Sequence, residues 1–100
     1  MNFSFHPEAE EELNRAVDYY NECRPLLGWD FSREVYITIQ NIIAHPNAWS
    51  PLSKSTRRCL VNRFPFGVIY QIGNKNIFII AIMQLNRKPG YWQERLKQKE

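Results

Sequence analysis

Glycine is scarce and scattered in this 100-residue chain. Gly28, Gly67, Gly73 and Gly90 are its only glycines, and none belongs to a glycine-rich phosphate loop. Histidine and cysteine are rarer still: His6 and His45, Cys23 and Cys59. They form no CxxC and no His/Cys cluster of metal-binding spacing, so neither a metal nor another cofactor is expected. The two cysteines lie far apart and are expected as free or buried thiols in a reducing cytoplasm rather than as a disulfide. Long apolar runs are also missing. The longest, Ile77–Met83, falls far below the ~18 residues needed to span a bilayer, so no membrane association is expected. Met1–Phe5 is too short and lacks the apolar stretch of a secretory signal.

Acidic residues are nearly absent from the second half. Residues 51–100 carry ten basic side chains against Glu94 and Glu100, a balance of +8. Residues 1–50 carry Arg15, Arg24 and Arg33 against eight acidic side chains, a balance of −5, which leaves +3 for the whole chain. A basic half within a folded domain points to an acidic or polyanionic partner, with a solvated basic face as the alternative. Apolar residues make up 44% of the chain and 14 residues are aromatic. That is enough for one core without disulfide or metal staples, and it excludes disorder. Length alone fits a single domain over residues 1–100.

Hydrophobic periodicity orders the elements. Asn2–Phe5 reads as a strand with Phe3 and Phe5 on one face. Pro7 suits the first position of a helix, and Glu8, Glu10, Glu11 and Glu12 follow where the helix dipole favours negative charge. Leu13, Ala16, Val17 and Tyr20 make that helix's apolar stripe, and Pro25 ends it. The acidic cluster is taken as a solvated face. A second helix is expected over about Trp29–Ala44, with Phe31, Val35, Ile39, Ile42 and Ile43 on its buried side. The short link between the two implies an antiparallel hairpin. His45–Thr56 reads as a loop, followed by strands at about Arg57–Phe64, Gly67–Ile72 and Ile77–Met83. The turns between them are placed at Pro65–Gly67 and Gly73–Asn76, where Gly and Asn tolerate positive φ. Ile77–Met83 is apolar on both faces, so it is an interior strand whose second face needs cover. Tyr91–Gln98 is left as a short helix or a loose tail. Helices grouped ahead of a three-strand meander make an α+β fold on an antiparallel-rich sheet, not a βαβ nucleotide fold.

Three segments carry a family likeness: "FHPEAEEEL" (Phe5–Leu13) with "AVDYY" (Ala16–Tyr20), "RRCLVNRFPFGVIYQI" (Arg57–Ile72), and "AIMQLNRKPGYWQER" (Ala81–Arg95). In that order and spacing the chain resembles the RelE/ParE superfamily of toxins from type II toxin–antitoxin systems. The resemblance implies a toxin that inhibits bacterial growth and is silenced in a hetero-oligomeric complex with a cognate antitoxin. It also implies one of two targets. ParE-like members inhibit DNA gyrase and are not nucleases; RelE-like members cut mRNA in the ribosomal A site. Many relatives carry histidine at the position of Gln84, and an amide cannot titrate near neutral pH.

Metal-free RNA cleavage needs an acid, a base and cations around the phosphoryl group. If the chain is a nuclease, Arg58, Arg63 and Arg87 are the candidate cations, with the family likeness placing them on the exposed sheet face and the turn after it. Arg57 or Lys54 would assist. Tyr91 is the candidate proton donor, on condition that its pKa of ~10 is lowered, or a base-stacking platform. Against this, strand-edge arginines are more often solvated or ion-paired, and Tyr91 and Trp92 equally suit a lid on the sheet. Tyr19 and Tyr20 read as core and rim, His6 and His45 as helix-end residues. The long hairpin and the missing histidine favour a ParE-like, non-enzymatic toxin; an mRNA endoribonuclease and a non-toxic partner-binding relative are the alternatives.

Overall fold

A computed structural model describes residues 1–97, with only the backbone of Lys97; Gln98, where the expected final helix ended, lies outside the described residues. Strand β1 (Asn2–Phe5) leads into helix α1 (Pro7–Cys23) and helix α2 (Leu27–Ala44). Strands β2 (Ser50–Pro51), β3 (Arg57–Leu60), β4 (Phe66–Ile72) and β5 (Asn76–Gln84) follow. A 3-10 turn (Tyr91–Gln93) and helix α3 (Glu94–Lys97) close the described chain. The sheet order is β1-β5-β4-β3-β2, antiparallel except where β1 runs parallel to β5. The α+β architecture is therefore the one the residue pattern implies, with β5 an interior strand.

The hairpin covers one sheet face. His6 accepts a hydrogen bond from the Glu8 N–H at its Nδ1 (3.1 Å) and so caps α1, with Pro7 just inside. Ala9, Glu12 and Ala16 are the buried residues of α1, while α2 buries Phe31, Val35, Ile39 and Ile42. Gly28 lets the helices approach closely: a Cβ there would collide with the Val17 carbonyl and the Asn21 side chain, whose Oδ1 accepts from the Gly28 N–H at 2.8 Å. Leu26 makes the connection by adopting φ 70°, the left-handed region that costs a side-chain-bearing residue about 1–2 kcal/mol.

Both faces of β5 are buried, through a break in its alternation. Opposite Ile69 and Tyr70 the register slips by one residue. Ile77, Ile79 and Ile82 consequently face the hairpin, while Ile80, Ala81 and Met83 face away. Trp92 covers that second face, with Tyr91 and Leu96 packed beside it.

Three boundaries differ from those the sequence implies. β3 stops at Leu60, and the turn to β4 occupies residues 61–65 rather than Pro65–Gly67; Arg63 takes φ 71° there, and Phe66 is already paired with Gln84. In the next turn Lys75, not Gly73 or an asparagine, adopts positive φ (60°). The expected loop before β3 contributes the edge strand β2, whose Pro51 sits where an absent N–H is tolerated.

Candidate functional site

β1 pairs with β5 only as far as Ile79, so the next stretch of that β5 edge has no strand beside it. A buried ion pair takes the strand's place. Glu12 projects from the buried stripe of α1, one turn from both Ala9 and Ala16, and its Oε1 accepts a hydrogen bond from the Ile82 N–H at 3.0 Å. Arg95 donates from Nη1 to the Ile80 carbonyl at 3.0 Å and to Glu12 Oε1 at 2.9 Å, and from Nη2 to Glu12 Oε2 at 2.8 Å. The Glu12 and Arg95 side chains are 6% and 7% exposed. Burial by itself pulls the Arg95 pKa down, but the hydrogen bond and charge of Glu12 more than reverse this, so the guanidinium is held above its ordinary value.

Two of the four nuclease candidates join this cluster. Tyr91 donates its hydroxyl proton to Glu12 Oε2 at 2.7 Å, and the Arg87 guanidinium lies 3.6 Å above the Tyr91 ring with Nη1 3.5 Å from the same carboxylate oxygen. Burial pushes the Tyr91 pKa well above its usual range, and the hydrogen bond and charge of Glu12 push it further; Arg95 and Arg87 offset only part. The shift is opposite to the one a proton donor near neutral pH requires. Arg87 remains half-exposed, at the rim of a cavity of about 390 Å³ that Glu12, Arg15, Tyr19, Tyr20 and Gln84 also line.

The other two candidates lie elsewhere. Arg63 turns toward the hairpin, with Nη2 3.8 Å from Asp30 and Nη1 3.7 Å from Glu34 on α2, and its guanidinium packs over Phe64. It is not on the exposed sheet face where the family likeness put it. Arg58 does lie on the face away from the hairpin, opposite Ile69, and lines a separate cavity. Of the assisting cations, Arg57 donates to the carbonyls of Asn47 (3.2 Å) and Trp49 (2.7 Å), and exposed Lys54 lines a polar cavity beside Ser53 and Gln71. Tyr20 packs among Phe31, Phe64 and Phe66, Tyr19 is exposed, and Trp92 is buried against the sheet as a lid residue. His45 ends α2, its backbone N–H donating to the Asn41 carbonyl.

Glu12 and Arg95 were not singled out by the residue pattern. The solvated reading of the acidic cluster holds for exposed Glu10 and Glu11, holds in part for Glu8, whose half-exposed carboxylate lies 3.7 Å from Arg95 Nη2, and fails for Glu12. The signal lay in the stripe itself: Glu12 occupies the position between Ala9 and Ala16 on the face that points inward. Among the described residues no group of three His, Cys, Asp or Glu side chains is placed to hold a metal ion, and no helix is long and apolar enough to cross a membrane.

Comparison with known proteins bears on the same span. The profile of the family described as "ParE toxin of type II toxin-antitoxin system, parDE" matches residues 3–89. Among solved structures, a chain from "Chromosomal ParDE TA system from P. aeruginosa" superposes with a TM-score of 0.74 at 18% identity, over 86% of this chain and 97% of that one. At that identity the likeness speaks for the fold. No curated protein matches.

Proposed function

Because this chain belongs to the ParE toxin family and is a toxin of a type II toxin–antitoxin system, we propose that it arrests growth by gripping DNA gyrase as a protein ligand, without cutting RNA. One observation carries this choice: the Tyr91 hydroxyl already donates to a buried carboxylate, and burial together with that carboxylate raises its pKa, so the side chain offered as proton donor is a weaker acid than an ordinary tyrosine and has its hydrogen bond committed within the chain. Gln84, across the adjoining cavity, adds no titratable group in its place. Arg63 and Arg87 are ion-paired within the chain, which leaves Arg58 as the one nuclease candidate with no acidic partner among the described residues. In this mode the toxin is held silent by a cognate antitoxin in a hetero-oligomeric complex.

The test has two parallel arms. Purified protein is added to a gyrase supercoiling reaction, and RNA 5′ ends are mapped after induction in a growing culture. Inhibited supercoiling with intact mRNA is the expected result. Codon-phased cuts with normal supercoiling would establish the endoribonuclease instead. Normal growth at a high level of soluble protein would identify a non-toxic relative.

A further inference from the structure

The sheet face away from the hairpin carries a cavity of about 300 Å³ whose walls include Leu52, Met83, Leu85, Pro89 and Trp92. Among the described residues Arg58 is the only cationic side chain lining it. Gly67 fixes how Arg58 lies: its missing side chain leaves room for the stem, with Cγ and Cδ 3.1 Å from where a Cβ would stand. The Arg58 Nε is buried and has no hydrogen-bond partner among the described residues. Other arginines around the sheet are satisfied from within: Arg57 by two carbonyls, Arg63 by Asp30 and Glu34, Arg87 and Arg95 by Glu12. A buried donor left unpaired is unfavourable, and the fork of a guanidinium is matched by a carboxylate.

We infer that this cavity is a docking socket for a segment of the antitoxin in which an Asp or Glu sits beside a large apolar residue. The carboxylate pairs with Arg58, and the apolar side chain fills the space between Leu52, Met83 and Leu85. Leu52 and Leu85 are 41% and 39% exposed, so they stand ready to bury area against a partner. The walls argue for peptide over nucleic acid. A phosphate seated here would meet, among the described residues, one guanidinium and the Gln93 amide between Leu, Met, Pro and Trp side chains, whereas binding to a nucleic-acid backbone draws on several cations. The socket presupposes the antitoxin named in the preceding subsection and adds where its electrostatic anchor lands.

The test uses the full chain and the product of the reading frame beside its gene. Arg58→Met keeps the stem over Gly67 and removes the charge. Wild-type toxin is expected to bind that product, and Arg58→Met to bind it roughly 10- to 100-fold more weakly with a shallower salt dependence, as for truncation of one partner of a buried charge pair. An amide spectrum unchanged away from the cavity shows that the variant is folded. In the same spectrometer, acetyl-Leu-Glu-Leu-amide is expected to move the Trp92 indole and Arg58 Nε–H resonances, and acetyl-Leu-Gln-Leu-amide to move them at least several-fold less. Equal affinity of wild type and Arg58→Met would overturn the socket while leaving the antitoxin intact. Failure of wild type itself to bind the neighbouring product would overturn both. Displacement of the acidic peptide by oligouridylate or inorganic phosphate at lower concentration than the peptide would assign the cavity to nucleic acid instead.

Discussion

Replacing Glu12 by alanine removes the acceptor for five donor groups at once. The Ile82 N–H, the Tyr91 hydroxyl, Arg87 Nη1 and both terminal nitrogens of Arg95 lose their shared partner, and Arg95 is left as a cation only 7% exposed. The loss is set by this poorly compensated charge, which keeps only half-exposed Glu8 at 3.7 Å, rather than by the worth of the pair. Buried ion pairs are often nearly neutral compared with an apolar replacement, yet breaking one from a single side costs about 3–5 kcal/mol. Domains of this size hold about 5–15 kcal/mol in all, and each kcal/mol moves the melting temperature by roughly 4–8 °C. Glu12→Ala is therefore expected to lower Tm by more than about 12 °C and to shift the urea midpoint without changing the slope. Buried Trp92 serves as a fluorescence probe. Glu12→Gln, which retains an acceptor for Ile82, should fall between wild type and alanine. The sharper measurement is the cycle with Arg95→Met: with the cation gone, Glu12→Ala should cost at least about 2 kcal/mol less than it does alone. A Glu12→Ala loss below about 1 kcal/mol, or additive behaviour in the cycle, would refute the claim that this pair stands in for a missing strand.

Other outcomes follow from single positions. Gly28→Ala should destabilise by about 1–3 kcal/mol in chemical denaturation, because its methyl group would run into the Val17 carbonyl. Leu26→Gly should stabilise by about 1 kcal/mol, since φ 70° strains leucine and the side chain is 73% exposed with little packing to lose. Burial pushes the Cys59 thiol up to about 11 from its ordinary 9.0, and pushes Tyr70 up to about 12 from 10.0 against a partial offset by Arg57. The folded state holds these protons more tightly than the unfolded state. Their contribution is thus complete below about pH 9 and is lost as pH rises from about 9 to 11 for Cys59 and from about 10 to 12 for Tyr70, at up to about 1.4 kcal/mol per pH unit for each group. Urea midpoints measured from pH 7 to 11 should stay flat and then fall, and Cys59→Ala should delay the fall by about one pH unit. A thiol reagent should label exposed Cys23 in the native protein and reach buried Cys59 only on unfolding.

The helical hairpin was legible because apolar residues recur at helical spacing on α1 and α2, and because Pro7, Pro25 and Pro46 mark their limits. The interior position of β5 was legible from Ile77–Met83, apolar at every residue. The slip at Ile80 was not, since a run that is apolar throughout carries no alternation to reveal a change of phase. Arg63 looked like a strand residue because nothing local marks a positive φ on arginine; its partners Asp30 and Glu34 lie on a helix remote in sequence. Glu12 was hidden for a different reason. It belongs by charge to the acidic first turns and by position to the buried stripe, and only its meeting with Arg95 decides between the two. The Arg87–Tyr91 contact was within reach of the sequence, because the "RKPGY" turn folds one residue back over the other.

The parallel pairing of β1 with β5 also sets when the molecule can exist. Phe3 leaves the ribosome 74 residues ahead of its partner Ile77. The clamp between Glu12 and Arg95 waits longer still, across 83 positions. Until then α1 lacks the strand it packs against, and at ~5–20 residues per second the growing polypeptide carries that part of the hairpin's apolar stripe uncovered for several seconds. A product cut short before residue 76 lacks β5 altogether and cannot assemble the sheet. Translation that stops short of residue 95 therefore yields a polypeptide without the closing clamp, and the folded protein exists only once Arg95 has been made.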